Sequence, residues 1–199
     1  MKLGLFGGTF NPVHNGHLFL ALEALNVARL DRVVFIPNRI PPHKEQPDVP
    51  AEVRFAMLQE AIKEVPEFEL SRVELEREGP SYTLHTLESF APKLKLTFIC
   101  GADAFQADWY RLDQVLERLD TLLVANRAGF PFEMPEQLRD LPNPLRAKVR
   151  LLPFPDISIS SSAIRSRIRN GQAVRFLIPE PVYRMLMGAG YYRQPRKTE

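Results

Sequence analysis

Two histidines three residues apart, His14 and His17, follow a glycine-rich segment near the start of the chain. The apolar run Leu3 to Phe6 precedes them and predicts a strand that ends in paired glycines, where the backbone can approach a ligand closely. A helix that opens beside the histidines points unpaired N–H groups and its positive dipole end at the same place. Imidazole N–H groups are further donors, so this segment predicts a phosphate site. Its predicted phosphate-binding residues are Gly7, Gly8, Thr9, Phe10 and Gly16.

A second predicted phosphate site involves Ser160, Ser161 and Ser162, which precede an apolar periodic segment that ends before Gly171. Hydroxyl groups cap helices, but three in a row exceed what capping needs and leave donors for phosphate oxygens. Arg165, one turn into the predicted helix, has the forked guanidinium that suits the same oxygens. Taken alone, the pattern is also typical of a capped surface helix. Together with the histidine pair, it favours phosphate binding.

The elements that position these residues follow from a regular alternation of apolar strand-length runs and amphipathic helix-length segments. This alternation predicts an α/β fold, a Rossmann-like doubly wound parallel sheet flanked by helices, with ligands beyond the carboxyl ends of its strands. We expect one domain over 1–199, with a small C-terminal helical portion at about 156–190 and a tail at 191–199. The predicted strands are Leu3 to Phe6, Arg32 to Ile36, Leu94 to Cys100 and Thr121 to Ala125, and the predicted helices are 16–29, 51–64, 136–139 and 182–189.

Composition narrows the class of protein. A net charge of +2 over 199 residues, with scattered basic side chains, argues against nucleic acid or a membrane surface as the main partner. The single cysteine, Cys100, excludes an internal disulfide and a thiolate zinc site and is expected in the core. The histidine pair lacks a third metal ligand, so we predict no metal-binding residues. Without a targeting or membrane-spanning segment, a cytoplasmic location is expected, and the sequence leaves a homo-oligomer open.

The segment from Gly7 to His17 resembles the signature of the nucleotidylyltransferases, which transfer a nucleoside monophosphate from a triphosphate and release pyrophosphate. The segment Ile159 to Ile168 is similar to that family's second motif, ISS-[ST]-x-I-R. Further stretches look like those of bacterial nicotinate mononucleotide adenylyltransferases. These stretches are Pro37 to Lys44, Glu78 to Thr83, Gly101 to Asp103 and Asp108 to Arg111.

This resemblance implies transfer of the adenylyl group of ATP to nicotinate mononucleotide, a step of NAD biosynthesis that gives nicotinate adenine dinucleotide and pyrophosphate. The implied partners of the protein are ATP and nicotinate mononucleotide, with Mg²⁺ bound mainly through the ATP phosphates. Arg127 resembles a position near the adenine. The implied catalytic residues are His14, His17, Lys44 and Arg165; Gly101 and Asp103 join the phosphate-binding residues above; and the implied nicotinate mononucleotide site comprises Asn38, Ser81, Tyr82, Thr83, Trp109 and Tyr110.

The residues of the implied acceptor site also make chemical sense by themselves. Trp109 is the only tryptophan and offers a flat face to a cationic pyridinium ring, although a half-buried core aromatic fits the same position. Ser81 to Thr83 starts a predicted helix whose N–H groups suit a carboxylate. Two alternatives remain: nicotinamide mononucleotide as the main acceptor, or a nucleotide-binding module without turnover.

Overall fold

The structure is a computed structural model that describes residues 1–41, 47, 49–126, 133–153, 155 and 157–193. The predicted site residues Lys44 and Arg127 lie outside the described residues. Strands and helices alternate along most of the chain. In chain order they are β1 Lys2–Gly8, α1 Asn15–Val27, β2 Arg32–Pro37, α2 Ala51–Ile62, β3 Phe68–Leu70, α3 Thr83–Glu88, β4 Lys95–Gly101, α4 Ala102–Phe105, α5 Leu112–Arg118, β5 Thr121–Ala125, α6 Glu136–Arg139, α7 Asn143–Arg146, β6 Val149–Leu152, α8 Ser161–Arg169 and α9 Glu180–Ala189.

The strands of the described chain form one parallel sheet in the order β3-β2-β1-β4-β5-β6. This is the strand order of a doubly wound nucleotide-binding fold, which confirms the predicted fold class. The order reverses between β1 and β4, and the crevice beyond the carboxyl ends of these two strands is where such sheets bind ligands. β1 ends at Gly8 and β4 ends at Gly101, so the glycine-rich segments meet at this crevice.

Successive residues of a strand point to opposite sides of the sheet, and these strands are apolar at nearly every position. Both faces are therefore apolar, and helices cover both of them. On one face the strands pack against α1, α2, α8 and α9, and on the other they pack against α3, α4 and α5. Cys100 belongs to the second of these cores, as predicted, and its burial raises the pKa of the thiol. The buried strand side chains include Phe6, Phe35 and Ile99 on the first face and Leu5, Ile36 and Phe98 on the second.

The predicted strands and long helices are confirmed to within a few residues, and α6 has the predicted bounds. The sequence reading missed the edge strands β3 and β6, which are three and four residues long, because neither contains an apolar run of strand length. It also missed the short helices α4, α5 and α7. Among the described helices, none has the length and apolar character needed to cross a membrane.

Helices α8 and α9 form the expected C-terminal helical portion. The tail was predicted to begin at residue 191, but Tyr191 and Tyr192 pack against the core of the first sheet face. The Tyr192 hydroxyl donates a hydrogen bond to Oδ1 of Asn11, at the opposite end of the sequence. The sequence prediction placed both tyrosines in the tail. The packing of their rings and this hydrogen bond instead keep them on the core.

Candidate active site

The histidine pair forms the start of α1. The His14 backbone N–H donates to Nδ1 of His17 at 3.2 Å, and the two rings stack with centroids 3.6 Å apart. Because Nδ1 accepts this bond, the proton of the neutral His17 ring lies on Nε2. A Cβ at Gly16 would lie 3.1 Å from Nδ1 of His14, so glycine at this position allows the buried His14 ring to pack against the helix start.

The β1–α1 loop, residues 9–14, is held by side chains from distant parts of the chain. Arg165 donates from NH1 to the Asn11 carbonyl at 2.8 Å, and the Ser161 hydroxyl donates to the Pro12 carbonyl at 2.9 Å. Phe10, buried within the loop, has a φ of +47°, a left-handed conformation that is costly for a residue with a side chain. Fixed hydrogen bonds on both sides maintain such a conformation.

The three serines have different roles in the structure. Ser160 is the N-cap of α8, since its hydroxyl oxygen accepts from the backbone N–H of Ala163 at 3.1 Å. Ser161 holds the β1–α1 loop through its hydroxyl, and the hydroxyl of Ser162 lies 3.1 Å from that of Ser160. The serines therefore build the helix start and dock it onto the loop, which leaves the first backbone N–H groups of α8 for an anion.

A first chamber of about 560 Å³ lies between the β1–α1 loop, the end of β4 and the start of α8. The N-terminal ends of α1 and α8 both reach this chamber, and Arg165 adds a cationic side chain. Such an arrangement attracts a polyanion. The sequence-predicted residues that line it are Gly7, Gly8, Thr9, Phe10, His14, Gly16, His17, Gly101, Asp103, Ser160, Ser161, Ser162 and Arg165.

A second chamber of about 180 Å³ adjoins the first. Five residues line both chambers, so the end of β1 and the start of α4 form a common wall. The structure brings the predicted acceptor-site residues together here, although they come from three separate segments. The predicted residues are Asn38, Ser81, Tyr82, Thr83, Trp109 and Tyr110, and the shared residues are Gly7, Gly8, Thr9, Asp103 and Ala104.

The aromatic side chains of the second chamber are fixed by their own packing. The Trp109 indole N–H donates to the Phe105 carbonyl at 3.1 Å, and its ring meets Phe98 edge to face with centroids 5.9 Å apart. Tyr82 and Tyr110 stack with centroids 4.7 Å apart. Trp109 is thus both half-buried against the core and part of the chamber wall, so its two sequence interpretations are compatible.

Glu74, which the sequence analysis did not select, lines the second chamber and is buried. The Thr86 hydroxyl donates to its Oε1 at 2.5 Å. Burial raises the pKa of the Glu74 carboxyl, and the hydrogen bond from Thr86 and the charge of Arg77 offset only part of this effect. Glu74 therefore holds its proton to a higher pH than an ordinary glutamate does.

Arg54 and Tyr192 are two further residues that sequence reasoning missed. Tyr192 gave no signal, since it follows the last helix in a polar segment. Arg54 did give one, because it stands three and four residues before Met57 and Leu58 on the buried stripe of α2, where a charge is unexpected. In the described part of the chain, no group of three or more His, Cys, Asp or Glu side chains could hold a metal ion.

Comparison with known proteins places this fold and site in a defined class. Residues 5–167 match the model of the cytidylyltransferase-like family. This match includes the histidine pair, the start of α8 and both chambers. Among solved structures, Plasmodium falciparum nicotinic acid mononucleotide adenylyltransferase complexed with NaAD superposes with a TM-score of 0.74 at 19% identity, covering 96% of this chain and 97% of that one. At this identity, the likeness supports the fold.

Similarity to curated relatives identifies the family within this class. The chain is 43% identical over 198 residues to a probable nicotinate-nucleotide adenylyltransferase of Carboxydothermus hydrogenoformans, covering 96% of this chain and 98% of the relative. It is 42% identical over 197 residues to the nicotinate-nucleotide adenylyltransferase of Bacillus subtilis, with coverage of 96% and 98%. The chain therefore belongs to the nicotinate-nucleotide adenylyltransferase family, within the cytidylyltransferase-like class.

The raised pKa of Glu74 predicts a specific pH dependence of stability. Between the ordinary glutamate value of 4.5 and the higher pKa of the folded protein, the folded chain binds more protons than the unfolded chain. Stability therefore falls as the pH rises through this window. Glu74→Gln keeps an oxygen that accepts from Thr86 but cannot ionise. We expect its melting temperature, relative to that of the parent, to increase from about pH 4 to about pH 7.

Thermal unfolding at a series of pH values measures this difference. Glu78→Gln, at an exposed position of the same segment, is the matched control and should follow the parent curve. Parallel curves for the parent and Glu74→Gln across the whole range would contradict the assignment of a raised pKa to this carboxyl.

Proposed function

We propose that this chain transfers the adenylyl group of ATP to nicotinate mononucleotide, forming nicotinate adenine dinucleotide and pyrophosphate in NAD biosynthesis. The observation that carries the proposal is the pair of adjoining chambers whose common wall is formed by the end of β1, Thr9 and the start of α4. One chamber has the features of an anion site, and the other has a flat aromatic wall and hydroxyl groups. Two nucleotides held in this way meet at this common wall.

The reaction needs little covalent chemistry from the protein. A phosphate oxygen of nicotinate mononucleotide attacks the α-phosphorus of ATP and forms a new P–O bond, while the bond to the bridging oxygen of the β-phosphate breaks. Pyrophosphate leaves with that electron pair. The attacking phosphate monoester has a second pKa of about 6 and is largely dianionic at neutral pH, so no general base is required. Catalysis then consists of positioning and charge stabilisation.

Charge stabilisation is assigned to the residues around the first chamber. We assign His14 and His17 to the triphosphate and the transferred phosphoryl group, because both stand at the N-terminal end of α1 and line the chamber. Arg165 donates one N–H to the Asn11 carbonyl. We assign its other guanidinium N–H groups, together with the start of α8, to phosphate oxygens. Thr9 is assigned to the same phosphates, and so is Lys44, from the family resemblance.

Magnesium fits this site as an ion carried by the nucleotide. Asp103 is the acidic side chain on the described wall of the first chamber, and Mg²⁺ binds through few protein carboxylates when phosphates and water complete its shell. Bound in this way, it would neutralise charge on the triphosphate and the leaving pyrophosphate. The protein contributes the N–H donors of the two helix starts and of Arg165 to the same phosphates.

Recognition of the acid group is assigned to the start of α3. The backbone N–H groups of Ser81 and Tyr82 donate to the carbonyls of Ile40 and Pro80, at 3.1 and 3.0 Å. The N–H groups that suit the nicotinate carboxylate are therefore those of the first helical turn, which begins at Thr83. The Trp109 ring stacks on the pyridinium in the same chamber.

Pyrophosphate release from ATP, with nicotinate and nicotinamide mononucleotides compared at equal concentration, tests this function. We expect a strong preference for the acid, because the first-turn N–H groups of α3 match a carboxylate and not a neutral amide. Equal use of both would keep the chemistry but contradict the account of acid recognition. ATP binding without pyrophosphate release from either acceptor would contradict the proposed reaction and favour a binding module.

Replacing His17 should remove a donor to the transferred phosphoryl group. We expect His17→Ala to lower turnover by about a hundredfold or more, the effect of losing one preorganised donor. This substitution also removes the acceptor for the His14 N–H. His17→Asn is therefore the control, since its amide oxygen can take that bond without restoring the ring N–H. Normal turnover in either folded variant would remove His17 from the mechanism.

Replacing Trp109 should change the Michaelis constants of the two substrates to different extents. We expect Trp109→Ala to raise the Michaelis constant for nicotinate mononucleotide by about tenfold, because stacking on the charged ring is lost, with a smaller change for ATP. Trp109→Phe retains a flat ring and should recover most of this loss. Steady-state kinetics with each substrate varied in turn measures both constants. Equal changes for the two substrates would show a purely structural role.

A further inference from the structure

Arg54 is an arginine that is only 1% exposed, in the first turns of α2. Its guanidinium donates to three backbone carbonyls: from Nε to Val49 at 3.3 Å, from NH1 to Thr9 at 2.5 Å and from NH2 to Asn38 at 2.8 Å. Across the residues that the structure describes, none of its hydrogen-bond or ion-pair partners is a carboxylate. The buried positive charge is therefore compensated by peptide dipoles.

Two of the three acceptors of Arg54, Thr9 and Asn38, lie at the ends of neighbouring strands. Thr9 directly follows β1 and lines both chambers, and Asn38 directly follows β2 and lines the second chamber. The two residues also join through Asn38 Nδ2, which donates to Thr9 Oγ1 at 3.3 Å. A planar guanidinium bonded to both carbonyls sets the separation and orientation of the two strand ends. Phe10, with its left-handed backbone, comes immediately after one of these acceptors.

The buried position of Arg54 is energetically unfavourable for a cation. Burial lowers the pKa of the Arg54 guanidinium, and the neighbouring Tyr192 acts in the opposite direction. The charge also stands near the N-terminal end of α2, where the helix dipole is unfavourable to it. An apolar side chain of similar size would fill the same space without loss of hydration. The stability of the helix therefore does not account for an arginine here.

We propose that Arg54 is a positioning residue for adenylyl transfer, which fixes the common wall of the two chambers by bonding the Thr9 and Asn38 carbonyls and places a permanent positive charge behind the β1–α1 loop. This role rests on the proposed function, because it concerns the geometry between the two nucleotides. The position of the common wall affects turnover, because a small displacement of one reactant relative to the other lowers the rate of transfer. The charge affects binding of the anionic nucleotide, since it acts through the loop.

Arg54→Met tests the role, and Arg118→Met is its matched control. Arg118 also donates to two backbone carbonyls, those of Leu87 and Phe90, but it lies on α5 and outside both chamber walls. We expect only Arg54→Met to lower kcat/KM for both substrates, by about a hundredfold, whereas Arg118→Met should keep the parental kinetics. Equal kinetic losses in the two variants, or unchanged kinetics in folded Arg54→Met, would overturn the proposal.

Arg54→Lys separates geometry from charge and decides the matter if the methionine variant does not fold. Lysine offers a cation that the surrounding carbonyls can stabilise, but it lacks the planar fork that reaches two strand ends. We expect its ATP affinity, measured by calorimetry, to stay within about threefold of the parent, with turnover still at least about tenfold lower. Parental turnover in Arg54→Lys would overturn the proposal. Absence of pyrophosphate release in the parent would instead refute the proposed function, while the calorimetric comparison still reports on the charge.

Discussion

The structure depends on the hydrogen bonds that fix the β1–α1 loop. Its carbonyls at Thr9, Asn11 and Pro12 each accept from a side chain that comes from another part of the chain. A left-handed residue such as Phe10 costs about 1–3 kcal/mol and persists only where its surroundings over-determine it. Because Thr9 lines both chambers and Phe10, Asn11 and His14 line the first, the conformation of the loop affects the geometry of both chambers.

Two of these donors are arginines, so the groups that hold the loop also bring positive charge to it. Arg165 faces the first chamber and Arg54 is buried behind the loop. The serine at the start of α8 combines the same two functions, since Ser161 docks the helix onto the loop and thereby aims the helix N-terminus at the chamber. Structural and phosphate-binding interpretations of such residues are therefore complementary. A site built in this way keeps its charge in place before the nucleotide arrives.

The sequence predicted the sheet, the long helices and both clusters of site residues, because apolar runs and the placement of Gly, His and Ser at element ends are local signals. It did not predict β3 or β6, whose pairing depends on the neighbouring strands. Glu74 and Tyr192 were missed for a related reason. Their burial and partners arise from residues distant in sequence, and nothing in their own segments marks them. Arg54 lies between these cases, since its apolar helix face was visible but its acceptors were not.

The bond between Asn11 and Tyr192 joins residues 181 positions apart, and that between Asn11 and Arg165 spans 154. During synthesis the chain emerges N-terminal end first, so β1 and its loop are available long before these partners exist. The strands can pair in the meantime and Arg54 of α2 can bond Thr9, but Asn11 and Pro12 gain their partners only after α8 and the segment after α9 have docked. The final conformation of the loop thus depends on contacts that the C-terminal part of the chain supplies last.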